Sequence, residues 1–241
     1  RNLFLFSNVH WDVGFADCGR LFDNVLTFVL ETIKVISNEK GLHLYIKPHP
    51  SEIYDTSSSI KGVSHFIREK YPKLPLNVTI IEPEWKLNTY DIFSFIDLGI
   101  IFNGTLGLEM MLSGIHVVST GRNTHQSLGF AMEPETVEDY KSILLGNQPP
   151  LIADREQVEL FAYFYFIKTM IPWRLTKQAF ADRFDGFTID SLNDLEPGRD
   201  PYLDHLCNCI LDPENTVVEG WPDVVEGYQA GPPHNIAKEK V

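Results

Sequence analysis

The chain has 241 residues, of which 44% are hydrophobic and 12% aromatic, enough for the packed core of one large domain. Its formal net charge is −13, from 33 acidic against 20 basic residues, which argues against nucleic-acid binding because such proteins present a basic face. Three cysteines do not make a disulfide framework, and no apolar run approaches the roughly 18–20 residues of a membrane span.

Strands and helices alternate through the first two thirds of the chain. In chain order we predict a strand at 3–9, a helix at 21–41 that Gly41 caps, a strand at 42–47, a helix at 64–72, a strand at 77–83, a helix at 88–96 capped by Asn88 or Thr89, a strand at 97–103, a helix at 105–114 and a strand at 116–120. Alternation of this kind predicts a parallel sheet, and nearly all-apolar strands are typical of a sheet covered on both faces. The predicted fold class is α/β, a Rossmann-like open parallel sheet of five or six strands flanked by helices.

The remaining third has a different pattern. We predict helices at 137–146 and 154–173, the second with an aromatic stripe that favours a packing surface over a cofactor site. Beyond 185 the chain is rich in Pro, Gly, Asp and Asn, which predicts loops, a short helix at 202–211 and a poorly ordered tail after about 225. We therefore divide the chain into a Rossmann-like domain, 1–175, and a loop-rich, partly disordered extension, 176–241.

Polar residues follow each predicted strand, while the strands themselves are apolar. Ligands of open parallel sheets bind beyond the carboxyl ends of the strands, so these residues are candidates for a binding site. In chain order they are Asn8, His10 and Asp12, then Lys47, His49 and Glu52, then Glu82 and Glu84, then Asn103, Gly104 and Thr105, and finally Thr120, Gly121, Arg122 and His125.

The stretch HLYIKPHPSE, residues 43–52, places a histidine between two prolines at the end of a strand. Pro48 and Pro50 restrict the backbone on either side of His49, so the imidazole loses little entropy when it binds a ligand. Lys47 lies two residues earlier, on the same side of the strand. The pair predicts a site for an anionic group, with His49 as a hydrogen-bond donor to phosphate.

The segment NGTLGLE, residues 103–109, joins a strand to a helix. Gly104 permits a sharp turn, Thr105 is a candidate N-cap, and the helix start offers N–H groups to a phosphate. Glu109, one turn further, is placed to accept hydrogen bonds from ribose hydroxyls. The loop after the last strand contributes Arg122 and His125, which can close over a ligand.

No metal or cofactor motif accompanies these residues. A DxD motif in a strand-end loop, HExxH, CxxC, the Walker pattern and GxGxxG are all absent from the sequence. We therefore expect no metal site and no cofactor, with the charge of a phosphate met by a helix start and by lysine, histidine and arginine.

The segments NVHWD, IKPHPSE, FNGTLGLEMMLSGIHVVSTG and EQVELFAYFYFIKTMIP resemble the capsule polysaccharide biosynthesis glycosyltransferases, which are Kdo-transferase-like enzymes of the GT-B fold. The resemblance covers roughly residues 3 to 173. It implies the C-terminal, donor-binding domain of a metal-independent enzyme that uses a CMP- or UDP-linked sugar. It also implies that His49, Pro50 and Thr105 grip the donor phosphate and that Glu109 contacts the ribose. Asn103, Gly104, Glu82 and the cations Lys47, Arg122 and His125 complete the expected donor site.

The same resemblance implies partners. A GT-B enzyme needs a second Rossmann domain, so we expect a missing N-terminal domain and a polysaccharide or glycolipid acceptor. We assign His49 to the stabilisation of the leaving group. The base that activates the acceptor is expected on the missing domain, or alternatively is Asp12 or His10. The expected location is cytoplasmic, with peripheral association with the inner face of the membrane as an option.

Two other classes of function remain open at the level of sequence. A nucleotide-sugar 2-epimerase or a teichoic-acid glycerophosphotransferase would use comparable His-Pro and helix-start motifs, although an epimerase is expected to carry an acid and paired glycines where this chain has Asn103-Gly104-Thr105. A non-catalytic nucleotide-binding module of a capsule assembly complex is the other alternative.

Overall fold

The structure, a computed structural model, describes residues 1–11, 18–53, 61–85, 87–171, 175–178 and 184–212. The chain divides into two compact units, Arg1–Glu159 and a second that begins at Leu160. Among the described residues, no helix is both long enough and apolar enough to cross a membrane.

The first unit contains a five-stranded parallel sheet in the order β3-β2-β1-β4-β5. Its strands are β1 (Asn2–Phe6), β2 (His43–Lys47), β3 (Val78–Ile80), β4 (Leu98–Ile101) and β5 (Val117–Ser119). All five strands were predicted; β2 ends at the predicted residue, Lys47, and the other four end one to three residues earlier than the apolar pattern does. The fold class is α/β with a Rossmann-like sheet, as predicted.

Helices cover both faces of this sheet. They are α1 (Val25–Ile36), α2 (Val63–Lys70), α3 (Leu106–Leu112) and α4 (Val137–Leu145), with 3₁₀ helices at Pro50–Ile53 and Thr89–Phe95. A further helix, α5 (Arg155–Tyr163), begins in the first unit and ends in the second. The predicted α-helix at 88–96 is therefore a 3₁₀ helix, capped by the side chain of Asn88, which accepts from Tyr90 N. Its seven residues include Thr, Ile, Tyr and two Phe, which have modest helix propensity, so the tighter helix is a compact crossover between β3 and β4.

The end of α1 differs from the prediction that Gly41 caps it. The helix stops at Ile36, and Ser37 binds back to Ile33 O through its hydroxyl at 2.5 Å. The carbonyl of Ile36 at the helix end accepts from Glu39 N at 3.0 Å and also from the amide of Asn77, just before β3, at 2.7 Å. Gly41 instead has φ +81° in the turn that leads into β2.

One face of the sheet builds the main hydrophobic core. Alternate residues of the strands, among them Leu5, Ile46 and Ile100, are fully buried there with apolar residues of α1, α2 and α4. Inside this core the hydroxyl of Thr32 on α1 pairs with that of Tyr140 on α4 at 2.6 Å, so both buried hydroxyls are satisfied.

On the opposite face of the sheet, α3 packs unusually close to β4. A Cβ atom on Gly99 of β4 would lie 2.6 Å from Met110 Sδ, and one on Gly107 would overlap Ile101 Cδ1. Glycine at both positions therefore lets α3 lie directly against β4. This contact fixes where α3 begins relative to the carboxyl end of the strand.

The second unit contains short elements. After α5 come a π-helical turn (Phe164–Lys168), an antiparallel pair of β6 (Thr176–Gln178) with β7 (Phe184–Phe187), a 3₁₀ helix (Leu192–Leu195) and α6 (Pro201–Leu211). The helix predicted at 202–211 is confirmed, whereas the strand pair was not predicted and the helix expected over 154–173 gives way to the π-helical turn at 164. The proposed tail after 225 lies outside the described residues.

Candidate functional site

The carboxyl edge of the sheet brings the ends of β2, β1 and β4 together. Immediately after β1, Ser7 N donates to Lys47 O at 3.2 Å. The next residue, Asn8, pairs with the backbone of Asn103 through both atoms of its amide, at 3.1 and 3.3 Å. Because β1 and β4 flank the point where the strand order reverses, this is where open α/β sheets bind ligands.

The turn at Asn103-Gly104 is held by a set of amide side chains. Gly104 has φ +116°, and its N–H is shared between Asn103 Oδ1 at 2.5 Å and Asn123 Oδ1 at 3.0 Å. The amide nitrogen of Asn123 also lies 2.6 Å from Ser119 Oγ and 3.3 Å from Phe102 O. Asn123 therefore ties the loop after β5 to the turn after β4.

Lys47 is the most unusual group at this edge. Its residue surface is only 8% exposed, and no described residue accepts a hydrogen bond from its ammonium group or lies beside it as a carboxylate. Burial lowers the pKa of Lys47. A buried cation without a counter-charge is costly, so the site is prepared for an anion.

His49 lies on the surface directly after β2, and Pro50 begins the 3₁₀ helix Pro50–Ile53. The backbone N–H of Ser51 donates to Nδ1 of His49 at 3.1 Å. In the neutral ring the proton is therefore on Nε2.

Thr105 and Glu109 contact one another at the start of α3. The Thr105 hydroxyl donates to Glu109 Oε1 at 3.2 Å, and the Tyr90 hydroxyl donates to Glu109 Oε2 at 2.7 Å. Thr105 makes no side-chain capping bond to the helix backbone. Its single proton is directed at Glu109, so binding of a phosphate by Thr105 requires the hydroxyl to turn away from the carboxylate.

The loop after β5 separates its two predicted binding residues. Arg122 is exposed, and its backbone N–H donates to Cys18 O at 2.8 Å. His125 is 1% exposed, and its buried Nε2 has no hydrogen-bond partner among the described residues. Its Cε1 lies 3.7 Å from the position that a Cβ of Gly107 would occupy, beside the start of α3, and burial lowers the pKa of His125.

The predicted acidic residue after β3 has a partner on α2. Glu82 forms an ion pair with Arg68. Near it, Glu52 accepts a hydrogen bond from Val63 N at 3.1 Å, while its other carboxylate oxygen is buried without a partner among the described residues. Burial raises the pKa of Glu52 to about 7, helped by the negative charges of Glu82 and Glu84 and opposed by the Val63 bond.

The two candidates for activating the acceptor fall at the end of β1. Asp12 lies outside the described residues, so its assignment stays a prediction. His10 has Nε2 2.6 Å from Lys61 O, and its ring contacts Phe66 in an edge-to-face arrangement. Nε2 is thus the donor, which leaves Nδ1 as the basic nitrogen of the neutral ring.

Hollows also lie away from these residues, at the amino edge of the sheet. One of about 390 Å³ is lined mainly by apolar side chains, including Met111, Ile115 and Phe130. It contains few polar groups, and the buried side chains without partners described above are at the other edge. Within the described parts of the chain, no group of three His, Cys, Asp or Glu side chains is arranged to hold a metal ion.

Two residues of the carboxyl edge were missed from the sequence. Asn123 stands in an ordinary polar loop, GRNTHQ, and only its contacts identify it as the residue that holds Gly104. Tyr90 lies 19 positions before Glu109, within the segment predicted only as a helix at 88–96. In neither case does the sequence contain a spacing that signals the contact.

Comparison with known proteins gives structural likeness only. No protein-family description matches the chain, and no curated protein matches it in sequence. Among solved structures, the beta Kdo 2,4 transferase KpsC of Thermosulfurimonas dismutans aligns with a TM-score of 0.44 and 19% identity over 67% of this chain. The beta Kdo 2,7 transferase KpsC of the same organism gives 0.39 and 13% over 59%, and the glycotransferase of kitacinnamycin gives 0.37 and 16% over 66%. The chain covers 43%, 43% and 36% of these three structures, less than half of each.

Proposed function

We propose that the unit Arg1–Glu159 is the nucleotide-sugar donor domain of a glycosyltransferase that acts in the synthesis of a bacterial capsule or surface polysaccharide. The proposal joins the resemblance of the sequence segments to the geometry of the carboxyl edge. A CMP- or UDP-linked sugar is the expected donor, and a second domain is expected to hold the acceptor.

The observation that carries the proposal is the burial of Lys47 at the carboxyl end of β2. At 8% exposure, with no carboxylate from the described residues beside it, this cation lacks the partner that buried charges ordinarily have. An anionic ligand supplies that partner. The position of Lys47, at the carboxyl end of a strand next to the reversal of strand order, is where a nucleotide phosphate is expected.

The groups around Lys47 fit a phosphate with a ribose attached. His49 offers a donor at Nε2, and the turn at Gly104 and the hydroxyl of Thr105 lie at the end of β4, on the other side of β1. Glu109 follows Thr105 by one helical turn, and its Oε1 lies 3.2 Å from the Thr105 hydroxyl, so the two groups are adjacent. A phosphate near Thr105 would therefore place ribose hydroxyls near the Glu109 carboxylate.

The chemistry follows from the same arrangement. When the bond between sugar and phosphate breaks, negative charge grows on the phosphate oxygens, and fixed donors at that position stabilise the transition state. Lys47 and His49 supply those donors in the proposed reaction. The acceptor is expected to bind the second domain. The base that activates it is expected on that domain or is Asp12.

The proposal is tested by thermal unfolding of the full chain in the presence of CMP, UDP, CDP and GDP. One of these nucleotides should raise the melting temperature in a concentration-dependent way, because a ligand that binds only the folded state stabilises it. If none of the four changes the melting temperature at millimolar concentration, the domain is not a nucleotide-sugar site and the proposal is wrong.

Lys47→Met separates a binding role from a structural one. The variant keeps the aliphatic stem but removes the buried charge, so we expect the unliganded protein to melt at the same or a higher temperature. Nucleotide affinity should fall by about 30-fold, the loss of one hydrogen bond to a charged group. Lys34→Met is the matched control, since Lys34 is exposed on α1 and paired with Glu31 at 3.1 Å. Lower stability with unchanged affinity would show that Lys47 is structural.

A further inference from the structure

Tyr90 fixes the Glu109 carboxylate from the side opposite Thr105. The hydroxyl of Tyr90 donates to Oε2 at 2.7 Å, while Thr105 donates to Oε1 at 3.2 Å. The two oxygens of Glu109 are thus held by residues from different elements, the 3₁₀ helix Thr89–Phe95 and the start of α3. A carboxylate restrained in this way loses little freedom when it binds a ligand.

The ring of Tyr90 is well supported although much of it is exposed. Tyr90 is 60% exposed, its hydroxyl is anchored by Glu109, and its ring contacts Phe93 at a centroid distance of 5.4 Å and an angle of 68°. Its backbone N–H donates to Asn88 Oδ1 at 3.0 Å, which fixes the first turn of the 3₁₀ helix. An exposed aromatic ring that is held at both ends is a rigid surface for a flat group.

The order of groups along this side of the sheet matches the order of groups in a nucleotide. Lys47 and Thr105 stand at the strand ends, Glu109 follows one turn along α3, and Tyr90 contacts the far oxygen of Glu109. A ligand with its phosphate at the strand ends and its ribose at Glu109 would carry its base toward Tyr90.

We propose that Tyr90 is part of the ligand site, where its hydroxyl positions Glu109 for the ribose and its exposed ring stacks on the nucleobase. The inference rests on the proposed function, because it requires a nucleotide in this orientation. It adds a residue to the site and assigns the base, the one part of the nucleotide that none of the other side chains accounts for. The hydroxyl of Tyr90 acts through Glu109, and the ring contacts the ligand directly.

The test measures the affinity of the full chain for CMP, UMP and GMP, and for ribose 5-phosphate, which is the same molecule without a base. Tyr90→Phe removes only the hydroxyl, so it should weaken all ligands that contain ribose by about threefold. Tyr90→Ala also removes the ring. It should weaken the preferred nucleotide by a further factor of about ten, while ribose 5-phosphate loses no more than it does in Tyr90→Phe.

Phe95→Ala is the matched control. Phe95 lies on the same 3₁₀ helix with 63% exposure, so the variant removes an equally exposed aromatic ring from the same element. We expect its affinity for every ligand to equal that of the original chain. Inorganic phosphate serves as a second control, since its affinity should be the same in all four proteins.

The outcomes distinguish this inference from the function on which it rests. If the original chain binds a nucleotide and Tyr90→Ala binds it equally well, the inference is wrong while the donor-site proposal stands. If Tyr90→Ala weakens ribose 5-phosphate as much as the nucleotide, the ring does not stack on the base and the inference is wrong. If the original chain binds no nucleotide, both proposals fall.

Discussion

The two edges of the parallel sheet differ in whether their buried polar groups have hydrogen-bond partners. At the amino edge the charged and polar groups pair with one another. The guanidinium of Arg1 donates to Leu144 O at 3.3 Å, and Asp97 accepts from Asn2 N at 2.6 Å. At the carboxyl edge Lys47 is buried without an acceptor in the described chain, although nearby groups are extensively bonded.

The difference shows where this fold tolerates an energetic cost. Folding alone would favour the arrangement at the amino edge, because an unpaired buried polar group lowers stability. A second such group, His125, lies at the carboxyl edge together with Lys47. Groups of this kind cluster at functional sites, since a ligand can supply the missing partner. The hollow at the amino edge has a volume of about 390 Å³, yet none of the buried side-chain atoms without partners among the described residues belongs to its lining.

The largest effect on stability should come from Asn123, the residue that holds the carboxyl edge together. Asn123→Ala removes the hydrogen bonds to Gly104 N and Ser119 Oγ, and we expect the free energy of unfolding to fall by about 2–3 kcal/mol. Asp97→Ala, at the amino edge, should cost less than about 1 kcal/mol because its bond to Asn2 N is exposed. Urea unfolding of the two variants measures both values.

Equal losses in these two variants would contradict the contrast between the edges. Asn123→Asp adds a further check, since it retains an acceptor for Gly104 N and removes the donor to Ser119. We expect it to fall between the original chain and the alanine variant.

A smaller effect should appear as a pH dependence at Glu52. The pKa of its carboxyl is about 7 in the folded protein, above the ordinary value of 4.5, because of burial and the charges of Glu82 and Glu84. The folded state therefore binds a proton more tightly than the unfolded state. The stability from this group is fully present below pH 4.5 and is lost as the pH rises through 7.

Glu52→Gln should remove this dependence. The difference in unfolding free energy between the variant and the original chain should shift in favour of the variant by about 1–2 kcal/mol between pH 5 and pH 8.5. Glu138→Gln is the control, because Glu138 is 80% exposed and only pairs with Lys141 on the surface. Parallel pH curves for Glu52→Gln and the original chain would show that Glu52 does not titrate in this range.

The smallest expected effect concerns the hollow at the amino edge. His116 and Arg155 are polar residues of its lining, and Arg155 pairs with Glu159 at 2.6 Å. We expect His116→Ala and Arg155→Ala to leave nucleotide affinity unchanged, as measured by the same thermal titration. A clear loss of affinity in either variant would place the ligand at the amino edge and contradict a nucleotide site at the carboxyl edge.

Much of the fold follows from the sequence because its strands are short apolar runs separated by helices. The parallel sheet, the position of each strand and the turn at Gly104 were all predictable from that pattern. The strand ends were less predictable, since the apolar character continues through Ile81 and Phe102, one residue beyond β3 and β4. Both residues are buried and still bonded across the sheet, Ile81 N–H donating to Ile46 O at 2.7 Å and Phe102 O accepting from Gly121 N at 2.9 Å, so the apolar pattern runs on past the regular strand.

The candidate site was predictable in its location but not in its contacts. The rule that ligands bind beyond strand ends placed Lys47, Thr105 and Glu109 at one edge, and the structure has them there. The bonds from Asn123 and Tyr90 depend on how a loop and a crossover fold back, and a single sequence does not contain that information. The assignment of individual residues to the ligand stays a prediction until binding is measured.

The close approach of Gly107 to Ile101 couples two properties that could otherwise vary separately. In a homologue with a larger side chain at either position, α3 would have to move away from the sheet, and Thr105 and Glu109 would move with it as one rigid piece. The room for a ligand at the carboxyl edge and the spacing of the polar groups there would then change together. Diversification of ligand size in such proteins should therefore proceed through paired replacements at these two positions, one residue becoming smaller as the other grows.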